Sequence, residues 1–151
     1  LAGPRRHYII KKCKEYKIPY YYYGKEQNED DLLSNAVDLS LMPFLYSLID
    51  IYLITSKSEG GPKAALEATA TKTFIMSTDV GLCSDFIDSK YVFKDSVEYK
   101  DKLNLIINNY SEFQNEIDFI KNRNFKIVNK LLNKKSMSKR LLNIYKEVLK
   151  K

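Results

Sequence analysis

The sequence predicts an α/β fold: a parallel sheet with helices on both faces. Strand-like and helix-like segments alternate along the 151 residues. Two of the strand-like segments, residues 50–55 and 73–77, are apolar on both faces, as strands in a covered parallel sheet are. A chain of this length with 44% hydrophobic residues also suffices for one domain with a sizeable core.

The elements follow in order. Residues 5–16 read as a helix, with Tyr8, Ile9 and Cys13 at helical spacing and Pro4 suited to a first turn. Pro19 ends it, and the run Tyr20-Tyr21-Tyr22-Tyr23 reads as a short strand closed by Gly24. A polar turn over residues 25–31 leads to a helix around residues 41–48. Residues 50–55 form a strand expected at the centre of the sheet, residues 62–71 a helix, and residues 73–77 a second buried strand. Asp79-Val80-Gly81 is a turn, residues 84–87 a short helix, and Tyr91-Val92-Phe93 an edge strand. Helices close the chain over residues 95–108, 111–134 and 137–150. The Asn/Lys-rich stretch at 121–135 keeps Phe125, Val128, Leu131 and Leu132 at helical spacing, so it reads as helix and not as disorder.

Charge is unevenly placed. Residues 1–120 hold 14 Lys/Arg against 18 Asp/Glu, whereas residues 121–151 hold 11 against one. The basic tail has two readings, a solvated helix face and a patch for an anionic membrane surface. Nucleic acid is not expected as a partner, because no aromatic-rich strand pattern accompanies the patch. No apolar run reaches the ~18–20 residues of a membrane helix, since Met42-Pro43 and Asp50 interrupt the longest. His7 is the lone histidine, and Cys13 and Cys83 lack metal-ligand spacing, so no metal is expected and the thiols are read as reduced and cytoplasmic. The first residues have neither an initiator Met nor a charged-then-apolar leader, and a fragment is expected.

The chemistry concentrates in residues 56–67, SKSEGGPKAALE, between a strand and a helix. Ligands of open α/β sheets bind at the carboxyl ends of the strands, which is where this stretch falls. Gly60 and Gly61 let the backbone approach a ligand without a Cβ in the way. Pro62 suits the first helical position, and the N–H groups of Lys63 and Ala64 with the helix dipole make an anion site suited to phosphate. Glu67 lies five residues beyond Pro62, about 7–8 Å at ~1.5 Å per residue, far enough to pass a diphosphate and meet a sugar ring. With Glu59 on the other side of the phosphates, the spacing fits a nucleotide sugar. Glu59 as a plain loop acid and Glu67 on a solvated helix face is the competing reading.

From Asp50 to Ile87 the chain closely resembles the C-terminal, donor-binding domain of the family 4 (group 1) retaining glycosyltransferases, which have the GT-B fold. Ser56, Glu59, Gly60, Glu67, Ala68, Val80 and Gly81 fall in the family's pattern of two glutamates separated by seven residues, an Ala-rich helix, a strand and a Val-Gly turn. Leu1-Ala2-Gly3-Pro4 looks like the end of that domain's second strand, Tyr23-Gly24 like the end of its third, and residues 138–145 are similar to the family's last helix. The resemblance implies a Rossmann-like domain over residues 1–151 that lacks its first strand and helix, ending in a closing helix at 136–151. It implies transfer of a sugar from a nucleotide-sugar donor to a glycan or lipid-linked acceptor, with retention. Glu59 would orient the sugar and stabilise charge beside the reacting carbon; Glu67 would bind the ribose hydroxyls; Ser56, Gly60, Gly61, Lys63 and Ala64 would complete the donor site. No cofactor beyond the donor substrate is implied, and no metal, because helix-end dipoles stabilise the departing diphosphate. The N-terminal acceptor-binding domain and an upstream Arg/Lys pair are absent from this chain. In the full-length enzyme the closing helix is expected to pack through Met137, Leu141, Ile144, Tyr145 and Val148 with its lysines outward, and a peripheral membrane location follows as an expectation. Three positions depart from the pattern: Lys72 stands where Gly usually ends the helix, suggesting a different helix end, Phe74 stands near where Pro is usual, and Asp85 stands where Glu is usual. A nucleotide-binding or structural module with idle glutamates, and an interaction domain acting through the basic tail, are the alternatives.

Overall fold

A computed structural model describes residue 1, residues 6–24 and residues 36–149. The chain divides into two compact units, Leu1–Met42 and Pro43–Lys151.

In the first unit, helix α1 (His7–Glu15) buries Ile10 and carries an exposed Lys12–Glu15 ion pair of 2.8 Å. It ends with Lys17 in the left-handed region at φ 56°, where Ile18 N–H donates to the Cys13 carbonyl at 2.8 Å. The expected strand over the four tyrosines is reduced to one bridge. Tyr23 N–H donates to the Leu1 carbonyl at 2.9 Å, and the Leu1 amino group donates to the Tyr21 carbonyl at 2.8 Å. The turn expected at 25–31, and the Ala2-Gly3-Pro4 part of the family likeness, lie outside the described residues.

The second unit holds a parallel sheet flanked by helices, with strand order β1-β2-β3 (β1 Ile51–Ile54, β2 Phe74–Thr78, β3 Val92–Phe93). Ile51 pairs with Phe74 and Ile54 with Ser77, while Ser77 and Thr78 pair with Val92 and Phe93. Strand β2 is the central one, and its residues Phe74, Ile75, Met76 and Ser77 are buried. The central position expected for residues 50–55 is corrected: among the described residues β1 is an edge strand, and Leu53 is 42% exposed. Apolar residues on both faces report what lies above and below a strand, not how many neighbours flank it. That ambiguity produced the error.

Helices α3 (Lys63–Ala70) and α6 (Tyr110–Leu132) pack on β2 and on each other, through Ala65 and Ala68 on one and Ile117, Ile120 and Val128 on the other. Small alanines let α3 come close to the sheet. Phe74 meets Tyr91 edge-on with centroids 4.7 Å apart, and Phe93 meets Tyr99 at 5.3 Å. Helix α5 (Ser96–Asn108) starts at Asp95, whose carboxylate accepts from the Val97 and Glu98 N–H groups at 2.7 and 3.0 Å. The short helices α2 (Met42–Ser47) and α4 (Cys83–Phe86) precede β1 and follow β2; Asp85 is exposed in the first turn of α4.

Lys72 does not end α3 differently. It sits at φ 58°, Thr73 N–H donates to the Ala68 carbonyl at 2.9 Å, and Lys72 N–H donates to the Thr69 carbonyl at 3.0 Å. This is the left-handed helix stop usually given to glycine, accommodated by a lysine whose ammonium lies 5.1 Å from the Phe125 ring centroid. The last helix, α7 (Lys134–Val148), begins two residues before the expected start, because the Asn133 side chain accepts from Ser136 N–H at 3.2 Å. The face expected to pack in the full-length enzyme lies open in this chain, with Met137, Leu141, Ile144, Tyr145 and Val148 all exposed.

Candidate functional site

Strand β1 ends at Ile54, and the loop from Thr55 to Pro62 turns into α3. Two features of the next strand–loop junction hold this loop. Thr78, closing β2, donates its hydroxyl to the Ser56 carbonyl at 2.7 Å. Gly81, in the turn after β2, adopts φ 52°, and a Cβ there would lie 2.9 Å from the carbonyl oxygens of both Glu59 and Gly60. The loops after β1 and β2 are therefore stacked backbone on backbone, and only glycine combines that clearance with that dihedral.

Within the loop, the Ser56 hydroxyl donates to Glu59 Oε1 at 2.9 Å, which fixes an otherwise exposed carboxylate at the carboxyl end of β1. A Cβ on Gly60 would meet nothing within 4 Å, and one on Gly61 would touch Leu82 Cδ1 at 3.5 Å. Pro62 is the cap before α3, with φ −69° and ψ 101°, rather than its first helical residue. No side chain caps α3, so the first-turn N–H groups of Lys63 and Ala64 keep no intrahelical partner. Lys63 is exposed and Ala64 half-buried. Beneath the loop lies Cys83, fully buried; burial pushes its thiol up, the charges of Glu59 and Asp79 add to this, and a hydrogen bond with Ser77 opposes it.

Glu67 is placed differently. Its Oε2 accepts a hydrogen bond of 3.1 Å from the Tyr46 hydroxyl, and the Tyr46 carbonyl in turn accepts from Thr73 Oγ1 at 2.9 Å, just before β2 begins. Tyr46 is buried, with its ring edge-on to Tyr52 at 5.6 Å. Burial first, then Tyr52 and the Glu67 charge, hold the Tyr46 hydroxyl well above its ordinary pKa. The contacts thus gather Ser56, Glu59, Gly60 and Gly61 with Thr78, Gly81 and Leu82, while Glu67 is tied towards the amino end of the sheet. A cavity of about 350 Å³ opens at that amino end, lined by Tyr46, Asp50, Thr73, Tyr110, Asp118 and Lys121 among others. It is not the Ser56–Gly61 loop.

Sequence reasoning missed Thr78 and Tyr46. A threonine closing a strand is an available signal for the first, whereas a tyrosine 21 residues from its carboxylate partner leaves none. Lys94 was also missed; it stands 3.7 Å from Asp79 beside the same strand ends. Among the described residues no cluster of three or more His, Cys, Asp or Glu side chains is placed to hold a metal ion.

No protein-family model, curated protein or solved structure matches this chain.

Proposed function

We propose that this chain is the Rossmann-like, donor-binding domain of a retaining glycosyltransferase of GT-B architecture, working on a nucleotide sugar in the cytoplasm. The observation that carries the reading is the Ser56–Glu59 hydrogen bond in a glycine-bearing loop seated on Gly81 at the carboxyl ends of β1 and β2. Glu59, oriented by Ser56, faces the sugar and stabilises the positive charge that develops at the reacting carbon. Gly60 and Gly61 leave room for sugar and phosphate. The first-turn N–H groups at Lys63 and Ala64, with the Lys63 ammonium, take the charge that grows on the departing diphosphate. Glu67, tied by Tyr46 towards the amino end of the sheet, stands outside this loop site. Acceptor recognition, of a glycan or a lipid-linked sugar, belongs to the second domain that such enzymes carry.

The test is a thermal-shift screen against UDP-, GDP- and ADP-sugars, followed by calorimetry on the parent and on Glu59→Gln. One nucleotide sugar should raise the melting temperature, and Glu59→Gln should weaken the sugar nucleotide more than the bare nucleotide. A flat screen with calorimetry showing no heat for any donor would sink the reading.

One observation favours a second reading. Because the Glu67 carboxylate already has a protein partner, the domain fits a nucleotide-binding module in which Glu67 is structural and no transfer occurs. Binding of nucleotide and nucleotide sugar with equal affinity, unchanged by Glu59→Gln, would select it.

A further inference from the structure

Two connections and one helix meet at the amino end of the sheet, around the cavity of about 350 Å³. Asp50 comes from the residue before β1, Lys72 and Thr73 from the stop between α3 and β2, and Tyr110, Asp118 and Lys121 from α6. The volume falls at the low end of the roughly 300–1,000 Å³ of small-molecule sites, so an occupant is metabolite-sized. Asp118 and Lys121 are paired at 3.3 Å, and Asp118 also accepts from the Gln114 amide at 3.3 Å. Their charges cancel. The other two do not meet. Among the described residues the Asp50 carboxylate has no hydrogen bond or ion pair, and the Lys72 ammonium has only the Phe125 ring. The half-buried Tyr110 likewise has no hydrogen-bond partner for its hydroxyl among the described residues. Burial first, then the charges of Asp50 and Asp118, push that hydroxyl above its ordinary pKa, so it stands within reach of both carboxylates.

We infer that this cavity is a second binding site, for a small zwitterion of the free amino-acid class, with its ammonium on Asp50 and Tyr110 and its carboxylate on Lys72. Asp50 and Lys72 line one cavity yet make no ion pair with each other, which leaves a gap for a molecule carrying both signs. A ligand of one sign satisfies one of these charges and leaves the other bare. A zwitterion closes both, through charge-assisted hydrogen bonds, which are the stronger kind. The wall between them is polar and neutral, made of the Asp118–Lys121 pair and Thr73, and it favours neither sign. The net charge of +6 gives no general attraction for cations, so uptake of an ammonium here reports the local field of Asp50. The inference also gives the lysine at the left-handed stop of α3 a role: glycine at φ 58° would place no charge in the cavity. It stands apart from the donor-site reading, since no residue is shared with the Ser56–Ala64 segment.

The full chain is screened by saturation-transfer NMR against the free protein amino acids at neutral pH, with ethanolamine and lactate as carriers of one charge each. Hits are measured by calorimetry. At least one amino acid should bind, about tenfold or more tighter than ethanolamine or lactate. Asp50→Asn, and separately Lys72→Met, which keeps the stem over Phe125, should each weaken it about tenfold or more while the circular dichroism spectrum is kept. Tyr110→Phe should weaken it several-fold. Asp101→Asn, at an exposed acid of α5 outside the cavity, should leave it unchanged. Absence of binding by every amino acid overturns the inference. So does an affinity that both Asp50→Asn and Lys72→Met leave intact, which would put the ligand elsewhere. Ethanolamine or lactate binding as tightly as the best amino acid overturns it too, because the cavity would then serve a ligand of one sign.

Discussion

Tyr46 and Glu67, 21 residues apart, are joined by a hydrogen bond of 3.1 Å that ties the middle of α3 to α2. Tyr46 is buried and Glu67 exposed, so the bond fixes one carboxylate oxygen and leaves the other to solvent or ligand. The two partners are separable by mutation. Tyr46→Phe removes the bond, keeps the ring against Tyr52, and should cost about 1 kcal/mol, discounted because the acceptor is exposed. Glu67→Ala leaves the Tyr46 hydroxyl with Tyr52 as its remaining hydrogen-bonding neighbour and should cost about 1 kcal/mol. If Glu67 also meets the ribose, Glu67→Ala further weakens donor binding by about 1–3 kcal/mol, whereas Tyr46→Phe leaves it nearly unchanged. Urea midpoints and calorimetry on both variants check this; equal donor affinities in all three proteins would remove the ribose role.

Lys17 and Lys72 both occupy left-handed positions at helix ends, φ 56° and 58°, that favour glycine by roughly 1 kcal/mol. Lys17→Gly should therefore stabilise the first unit by about 1 kcal/mol. Lys72→Gly should gain about half as much, because the contact of its ammonium with the Phe125 ring, worth about 0.5 kcal/mol at an exposed site, is lost. In a Phe125→Leu background the gain at Lys72 should grow towards the full value. Denaturant melts of the parent and the four variants decide it, and a loss of stability in Lys17→Gly would refute the strain argument.

These particulars show which features were legible beforehand. The burial of β2 and the helix that follows Asp95 come from local pattern, and so does the placement of Ser56 and Glu59 on one loop at a strand end. Each is a consequence of residues within one element and its flanks. The Tyr46–Glu67 bond is not, because it depends on how α2 and α3 meet. Nor is the edge position of β1 among the described residues, since strand order is a property of the sheet. The exposure of α7 is the same kind of case: periodicity shows which face of a helix is apolar, but what covers that face lies elsewhere. Lys72 is a further instance, where a rule based on glycine pointed away from the stop that the backbone makes with lysine.

Three buried tyrosines set the alkaline limit. Burial pushes the hydroxyls of Tyr46, Tyr91 and Tyr99 well above their ordinary value of 10.0. In the unfolded chain they release protons near that value, while the folded chain holds them. The unfolded state thus binds fewer protons above it, and stability must fall as pH rises. Their contribution is fully present below pH 10 and lost progressively above it. Urea midpoints should begin to fall past the ordinary thiol value of 9.0, where the buried Cys83 adds a loss of the same sign, and drop more steeply above pH 10, that second drop being shallower in Tyr99→Phe. A parent whose midpoint stays flat well beyond pH 10 would contradict the assignment.

Gly60 and Gly81 are neighbours across the stacked loops, and the structure gives them opposite tolerances. A Cβ on Gly60 meets nothing within 4 Å and its φ lies outside the left-handed region, so Gly60→Ala should be neutral or stabilising by up to about 0.5–1 kcal/mol. A Cβ on Gly81 would stand 2.9 Å from two backbone oxygens at φ 52°. Backbone cannot swing aside as a side-chain tip can, so Gly81→Ala should push the Glu59–Gly60 segment outward and cost about 1–3 kcal/mol. For donor binding both should be harmful, but for different reasons: Gly60→Ala fills space that the sugar and phosphates need, while Gly81→Ala misplaces Glu59. Binding of the bare nucleotide separates them, because displacement of Glu59 spares the contacts that the start of α3 makes with phosphate. The expected pattern is a stable Gly60→Ala that loses sugar nucleotide and phosphate-rich ligands alike, beside a destabilised Gly81→Ala that keeps nucleotide and loses the preference for the sugar. Full donor affinity in Gly60→Ala would move the ligand away from this loop, and an unchanged melting temperature in Gly81→Ala would mean that the two loops are not stacked as described.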